Sequence, residues 1–518
     1  MDRKKIFFIT LTSTVLMFVF FGLLIFFILD TLNNNTNPNY WFILLFAVYF
    51  VNNLTSFYLL NNKRRIENVK VCWMFVINLL PVIGIFAFYI FGIIPFKIEN
   101  SNEIKISSHH FNENENYSFT HSFLAKQESD KHSDFKFIFN YMNSPIYENN
   151  KITILDQSDL FKETIDIIRE AKEFIHIQFY IISDCLWFYL LMNELVRKAS
   201  QGVKIKFMYD WAGSHKRFNK SNLNFLERHG IEVEQFNPQT FNKYTSITNF
   251  RSHRKLVVVD NKFCITGGSN IGDEYLNLKK SYDNWKDLNF LIEGEVVNTL
   301  NLRFCNDWIN YTNYKKKKNF DSKFYQNYKI HKAENKDICQ AISSSPEFDL
   351  YVYQQILMSK ISSAQKTIWI YTPYLLIPNE IINNLIFASH KGVDVRIMVP
   401  HFPDDKKFIL TSNRSSYERF MKAGIQIFEY YGFMHSKAVI IDDDQCLIGS
   451  NNLDYRSLVI NFETAISIIS KDFNHQMKEI FLKDQKNSRL ISLHYLHSKF
   501  NLRQKMYNSI INIIKPLL

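Results

Sequence analysis

This sequence predicts apolar N-terminal helices followed by an α/β unit that occurs twice, with the copies related by a pseudo-twofold axis around one shared site. Three observations carry that expectation. An ordered series of strand-like runs and helical windows recurs at an offset of about 180–195 residues. The string His-x-Lys-x4-Asp occurs as His253, Lys255, Asp260 and again as His435, Lys437, Asp442, each followed at identical distances by a Gly/Ser/Asn cluster. Long uncharged apolar stretches fill the first hundred residues. With 518 residues the chain has room for about three units. The expected division is a membrane anchor over 1–96, a polar linker over 97–134, a first repeat over 135–320 and a second over 321–518.

In the anchor, Ile6 to Leu29 is uncharged and largely apolar, long enough to span a bilayer core of roughly 30 Å. It follows Arg3, Lys4 and Lys5, but it is too long for a signal peptide and no small-residue cleavage site follows. A second apolar segment runs from Tyr40 to Leu60 and a third from Val71 to about Pro95. Pro81 and Gly84 allow the third to be kinked or re-entrant. Tyr40, Trp41, Trp73 and Tyr89 sit where interfacial aromatics belong. Lys63, Arg64, Arg65 and Lys70 lie between the second and third segments, which puts that loop and the N-terminus in the cytoplasm. Three full spans would carry everything after Lys97 outside, and a re-entrant third would keep it inside; both stay open, with the outside placement preferred. A multi-pass protein of the cell membrane is expected, its oligomeric state open.

From Lys97 to about Asp134 the chain is rich in Asn, Ser, Glu and His and reads as a solvated linker. His109, His110, His121 and His132 fall there without metal-ligand spacing. The net charge of +11 favours an anionic partner, nucleic acid or an acidic membrane surface. Six cysteines (Cys72, Cys185, Cys264, Cys305, Cys339, Cys446) show neither a CxxC pair nor disulfide-like spacing, and they read as small core residues. Lys315 to Lys318 form a basic tract between the repeats.

The repeat can be followed string by string. Phe174 to Tyr180 corresponds to Thr367 to Tyr374, Gly202 to Phe207 to Gly392 to Ile397, and Gly230 to Val233 to Gly424 to Ile427. Period-two alternation and short apolar runs separated by helical windows give an α/β unit.

Breaking a phosphodiester requires a nucleophile, an acid for the leaving alkoxide and positive donors for the phosphate oxygens. Two histidines can fill the first two roles near neutral pH. The candidate catalytic set is therefore His253, Lys255, Asp260, His435, Lys437 and Asp442. Lys255 and Lys437, with the amides of Asn270 and Asn452, would surround the phosphate in place of a metal ion. Asp260 and Asp442 sit at strand ends and are expected to brace the fold. Asp287 and Glu463 follow their motifs at comparable distances among apolar neighbours, and are expected to cross over, Asp287 orienting His435 and Glu463 orienting His253. No P-loop or nucleotide-binding glycine pattern occurs. Exchange of one phosphodiester for another needs no ATP or CTP, and no cofactor is expected.

The two strings resemble the motifs of the phospholipase D superfamily, in which a pair of them makes one phosphodiester-transfer site. That resemblance implies two phospholipase D-like repeats and nominates His253 as nucleophile, with His435 as acid and then base. Ile175 to Tyr180, Arg251 to Lys255, Gly267 to Tyr275, Thr372-Pro373-Tyr374 and Leu453 to Ser457, with Pro81, Gly84, Tyr89, Phe91 and Gly92, are similar to bacterial cardiolipin synthases from anchor to C-terminus. The family implies that two phosphatidylglycerol molecules give cardiolipin and glycerol through a phosphohistidine, with anionic membrane lipids as partners and no nucleic acid. One stretch departs from the family pattern, and one position differs from the wider superfamily in a way common within the family. Cys185, Leu186 and Trp187 replace an acidic pair and a Gly, and Gly268 stands where the superfamily often has Ser. The alternatives are a membrane-bound phospholipase D that hydrolyses, a membrane-tethered nuclease of the same superfamily, and a lipid-binding scaffold, against which two complete motifs argue.

Overall fold

The computed structural model describes residues 39–61, 67–92, 116–126, 132–238, 249–278, 284–312, 331–348, 350–402 and 407–499. It has two compact units, one built on residues 1–98 and the other on residues 99–239 and 250–516. The apolar segment 6–29 and the lysine tract 315–318 lie outside the described residues.

In the first unit, helix Asn39–Leu60 is followed by helix Glu67–Leu79 and by a short helix Pro81–Ala87 that ends in the π-helical turn Phe88–Gly92. Pro81 has no N–H to continue the preceding helix, so the chain breaks at Leu80 and restarts with proline at the first helical position. Gly84 lets the two pieces lie close, because a Cβ there would collide with the carbonyl of Val76. Leu59, Trp73, Ile77 and Phe88 form a small core. No helix among the described residues is long and apolar enough to cross a membrane. Asn52, Asn53, Thr55 and Ser56 interrupt the second apolar segment after Val51, and Pro81 divides the third.

The second unit contains both repeats in one fifteen-stranded sheet. The first repeat supplies β1 (Ile146–Leu155), β2 (Phe174–Phe179), β3 (Lys204–Asp210), β4 (Glu232–Phe236), β5 (Leu256–Val259), β6 (Phe263–Gly267), β7 (Trp285–Lys286) and β8 (Asn289–Gly294). The second supplies β9 (Asp337–Ser344), β10 (Thr367–Tyr371), β11 (Leu375–Leu376), β12 (Asp394–Pro400), β13 (Gln426–Tyr430), β14 (Phe433–Met434), β15 (Ala438–Ile441), β16 (Gln445–Gly449), β17 (Leu453–Asp454), β18 (Glu463–Ile469) and β19 (Ser488–Leu490), of which β11 with β17, and β14 with β7, form two small pairs outside the large sheet. Outward from the central antiparallel pair β1 and β9, one half reads β8, β6, β5, β2, β3, β4 and the other β18, β16, β15, β10, β12, β13. The pseudo-twofold axis therefore passes between β1 and β9, and β19 is an addition at one edge.

In each half, three parallel strands are joined by helices, as β2, β3 and β4 are by Leu186–Ser200 and Lys220–Arg228. Parallel neighbours need such crossovers, which cover the strands and explain their near-continuous apolar sequence. Each repeat has its own core on one face, and a third cluster fills the other face beneath helices Val296–Tyr311 and Lys471–Lys486. All six cysteines are buried and unpaired.

Two segments depart from the expected boundaries. Residues 116–126, within the stretch read as linker, form a helix whose Thr120 Oγ1 accepts from Ile146 N at 3.0 Å. Helix Ser133–Met142, read as the start of the first repeat, packs on the core of the second: Ile138 joins Val352, Ile356 and Ile361. Asp134 is almost fully buried there and pairs with Lys360 at 2.9 Å, the partner that a buried carboxylate requires. Thr120 and Phe135 are buried and Phe119, Phe123, Phe137 and Phe139 half-buried, and His121 and His132 lie against Phe139 and Phe135.

Candidate active site

The motif strands carry two functions at opposite ends. Asp260 and Asp442 stand past the ends of β5 and β15 in left-handed backbone, φ 51° and 49°. The Asp260 carboxylate accepts from the N–H groups of Lys172, Glu173 and Phe174 at 2.7–3.0 Å. That of Asp442 accepts from Gln365, Lys366 and Thr367. Each aspartate thus ties down the turn that leads into the neighbouring strand, a whole strand away from the histidine of its own motif. Placed in the candidate catalytic set with the histidines, both instead sit outside the site. Asp260→Ala is expected to lower stability by about 2–4 kcal/mol, since three backbone donors lose a charged acceptor. Thermal unfolding checks this, with turnover per folded molecule within a few-fold of the parent.

At the other end, the two halves meet. Ser252 pairs with Phe462 in a parallel bridge, and Phe433–Met434 pairs in parallel with Trp285–Lys286. His253 N donates to Phe462 O at 2.8 Å and His435 N donates to Lys286 O at 2.7 Å. In both bridges the next residue along is a histidine on one strand and a carboxylate on the other. The result is a crossed arrangement: His253 Nδ1 lies 2.9 Å from Glu463 Oε2, and His435 Nδ1 lies 2.6 Å from Asp287 Oδ2. A carboxylate on Nδ1 favours the proton there and leaves Nε2 with its lone pair; at His435, Lys437 Nζ also comes within 2.9 Å of Nδ1, behind the shorter contact to Asp287.

Lys255 Nζ donates to His253 O at 2.7 Å, and Lys437 Nζ donates to His435 O. All four side chains are buried, and Lys437 acts electrostatically on His253 as Lys255 does on His435, so the motifs share one electrostatic environment. Burial lowers His253 below its ordinary value, against the pull of Glu463 and with help from Lys255. Burial, reinforced by Lys437, pushes His435 down to about 3, against Asp287. Desolvation brings Lys255 down to about 7 and Lys437 to about 8. Burial raises the Glu463 and Asp287 carboxyls, but the facing imidazoles and lysines outweigh it and leave both below the usual range. The two buried lysines are desolvated, and an anion beside them would favour their charged forms.

The surroundings of the two histidines differ. Tyr180 stands edge-on to His253 at 5.2 Å between ring centroids, while Trp285, Phe433 and Tyr275 pack around His435 at 5.0, 5.8 and 6.1 Å. Glu463 also accepts from Ser450 Oγ, Ser457 Oγ and Asn461 Nδ2. In the first repeat Gly268 holds the place of Ser450, and a Cβ there would run into the Asp287 carboxylate. Gly268→Ala is expected to displace Asp287 and lower kcat about a hundredfold, in line with small misplacements of catalytic groups. Measurement of kcat at saturating lipid checks it.

Of the two asparagines, Asn270 accepts from Ile181 N at 3.1 Å and donates to Tyr275 Oη at 2.9 Å. Asn452 keeps a buried Oδ1 with no hydrogen-bond partner. Sequence reasoning missed the support beneath the first motif. Arg254 pairs with Asp307 and donates from Nε to Glu463 O at 3.2 Å, and Gln178 holds both Ser252 Oγ and Asp307. It also missed Asp454, which is buried near Lys437 and raised by that burial to about 6.

Two α/β repeats closing over two crossed imidazole–carboxylate pairs and two buried lysines define a two-histidine phosphodiester-transfer protein of the phospholipase D type. A family model described as "Cardiolipin synthase, PLD-like domain" matches residues 164–308 and 357–485. Cardiolipin synthase 1 of Staphylococcus epidermidis is 31% identical over 493 residues, covering 92% of this chain and 98% of that one. The cardiolipin synthase of Clostridium perfringens is 31% identical over 464 residues, covering 88% and 95%. The chain belongs to the cardiolipin synthase family. In fold it is also similar to the crystal structure of phosphatidylserine synthase from Haemophilus influenzae Rd KW20, with a TM-score of 0.57 at 16% identity over 75% of this chain and all of that one.

Proposed function

We propose that the chain transfers a phosphatidyl group between two phosphatidylglycerol molecules, giving cardiolipin and glycerol. The observation that carries the chemistry is the crossed pairing, which supplies two oriented imidazoles to one cavity with two lysines. His253 Nε2 attacks the phosphorus of the first lipid and forms a phosphohistidine, as Glu463 stabilises the charge that develops on the ring. The departing glycerol oxygen takes a proton from His435 Nε2. His435 then accepts the proton of the terminal hydroxyl of the second phosphatidylglycerol, whose oxygen attacks the phosphohistidine and frees His253. Lys255 and Lys437, with the amides of Asn270 and Asn452, act on the phosphate oxygens.

In the empty site His435 is held neutral, and the negative phosphodiester works against that depression. Substrate binding itself therefore arms the acid. Free-enzyme kcat/KM is expected to fall as pH rises through about 7 to about 8, where Lys255 and Lys437 lose their protons. The acid limb should lie below 6.5, because the folded protein lowers the pKa of His253. A profile flat up to the ordinary lysine range would overturn this account of phosphate binding.

The apolar N-terminal segments are assigned to a multi-pass anchor in the cell membrane, with anionic phospholipids as surroundings. The outward-facing Ile43, Phe46, Phe50, Leu54, Phe57 and Ile83 support that assignment, since such a surface needs an apolar solvent. The purified chain incubated with phosphatidylglycerol liposomes and no nucleotide should release cardiolipin and glycerol in equal amounts by mass spectrometry. Phosphatidic acid with glycerol would mean that water is the acceptor. No lipid turnover would overturn the reading.

A further inference from the structure

Helix Leu186–Ser200 begins where the chain leaves β2 beside the site: Ile181 N is held by Asn270, and Ile182 bridges Ile271. Trp187, Phe188, Leu191 and Leu195 turn into the core. Leu186, Tyr189 and Leu190 stand 59%, 44% and 41% exposed. At spacings of three and four they form one apolar face on the first turn.

The second repeat provides an internal control. Gly202 and Gly392 set the register, and the counterpart helix Asn379–His390 buries Ile381, Ile382 and Leu385 where the first buries Leu191, Met192 and Leu195. Yet Asn379 and Glu380, both exposed, occupy the places of Tyr189 and Leu190. The fold thus accepts polar residues in place of Tyr189 and Leu190, so packing does not explain those two, whereas Leu186 corresponds to the buried Leu376.

The same turn has a flank of mixed charge, in which Asp273 and Glu274 act on Cys185 at the helix start and exposed lysines lie alongside. Asp184 N donates to Arg217 O at 3.0 Å, and Asn219 N and Asn222 Nδ2 donate to the Asp184 carboxylate at 2.8 and 2.7 Å. The exposed Lys216 and Lys220 are thereby held beside the helix start, while Arg217 faces Glu274 at 3.9 Å. Apolar side chains beside ammonium groups complement an anionic bilayer surface.

We infer that Leu186, Tyr189 and Leu190 dip into the surface of an anionic phospholipid bilayer and seat the His253 side of the cleft at headgroup level. The inference rests on the phosphatidyl-transfer reading. The test compares the parent full-length chain with Tyr189→Asn/Leu190→Glu, which copies the second repeat. Turnover of long-chain phosphatidylglycerol in vesicles should fall about tenfold or more in the variant, as expected for losing two interfacial side chains. Turnover of monomeric dihexanoyl phosphatidylglycerol should not change. A polarity-sensitive fluorophore on Leu190→Cys should shift to the blue in vesicles and be quenched by lipids brominated in the acyl chains. Unchanged vesicle turnover with a water-exposed fluorophore overturns the inference. So does a blue shift without lipid that grows with protein concentration, which would mean a second copy covers the face. If the parent turns over neither substrate while the fluorophore is quenched, the transfer reading fails and the bilayer contact stands.

Discussion

Replacement of His253 by Gln should lower cardiolipin formation by at least about four orders of magnitude, the scale on which removal of an activated nucleophile acts. The amide keeps a polar group of similar size against Glu463 Oε2 and Tyr180, so the fold should survive and the loss should be chemical. Phosphorus-labelled phosphatidylglycerol separates the two histidines. The parent enzyme should show an acid-labile label on protein, and His253→Gln none. His435→Gln should still become labelled from a phosphatidyl donor with a nitrophenolate leaving group, because that group departs without a proton. If His253→Gln were labelled and His435→Gln were not, the roles would be reversed.

The second large effect belongs to the carboxylates. Glu463→Gln and Asp287→Asn should each reduce turnover between about a hundredfold and ten-thousandfold, since an amide favours the wrong tautomer and cannot stabilise an imidazolium. The crossed geometry predicts that the two variants fail at different steps. Glu463 serves the ring that attacks, so Glu463→Gln should stay slow with a nitrophenolate donor. Asp287 serves the ring that protonates the departing glycerol, so Asp287→Asn should recover label formation with that donor and remain slow in forming cardiolipin. Equal recovery of both would sink the assignment of one carboxylate to each histidine.

Much of this was legible in the sequence because the repeat fixes correspondences without any knowledge of contacts. Once His253 matches His435, and Asp287 and Glu463 follow at comparable distances among aromatic neighbours, a symmetric exchange across an axis is the economical arrangement, and the bridges at Ser252–Phe462 and Met434–Lys286 place the four side chains in that way. What broke the symmetry was not legible. The Arg254–Asp307 pair joins a motif residue to a helix that carries no motif. Helix Ser133–Met142 precedes the first repeat in sequence but buries Ile138 and Asp134 against the second, because its partners Val352 and Lys360 come only after the chain has crossed over. The linker reading over 97–134 failed at 116–126 since this helix is mostly polar and is held by the buried Thr120, with Phe119 and Phe123 only half-buried. The Asp260 and Asp442 carboxylates, by contrast, keep the symmetry, each holding the turn before the neighbouring strand at the end away from the histidines.

The crossed bridges also set when the protein can first act as it is made. Glu463 follows His253 by 210 residues, so a growing polypeptide exposes this imidazole long before the carboxylate that holds it leaves the ribosome. Asp287 is present earlier, but the ring it serves arrives 148 residues later. During most of translation neither half holds a finished pair. The unfinished chain is silent until β18 has joined the sheet.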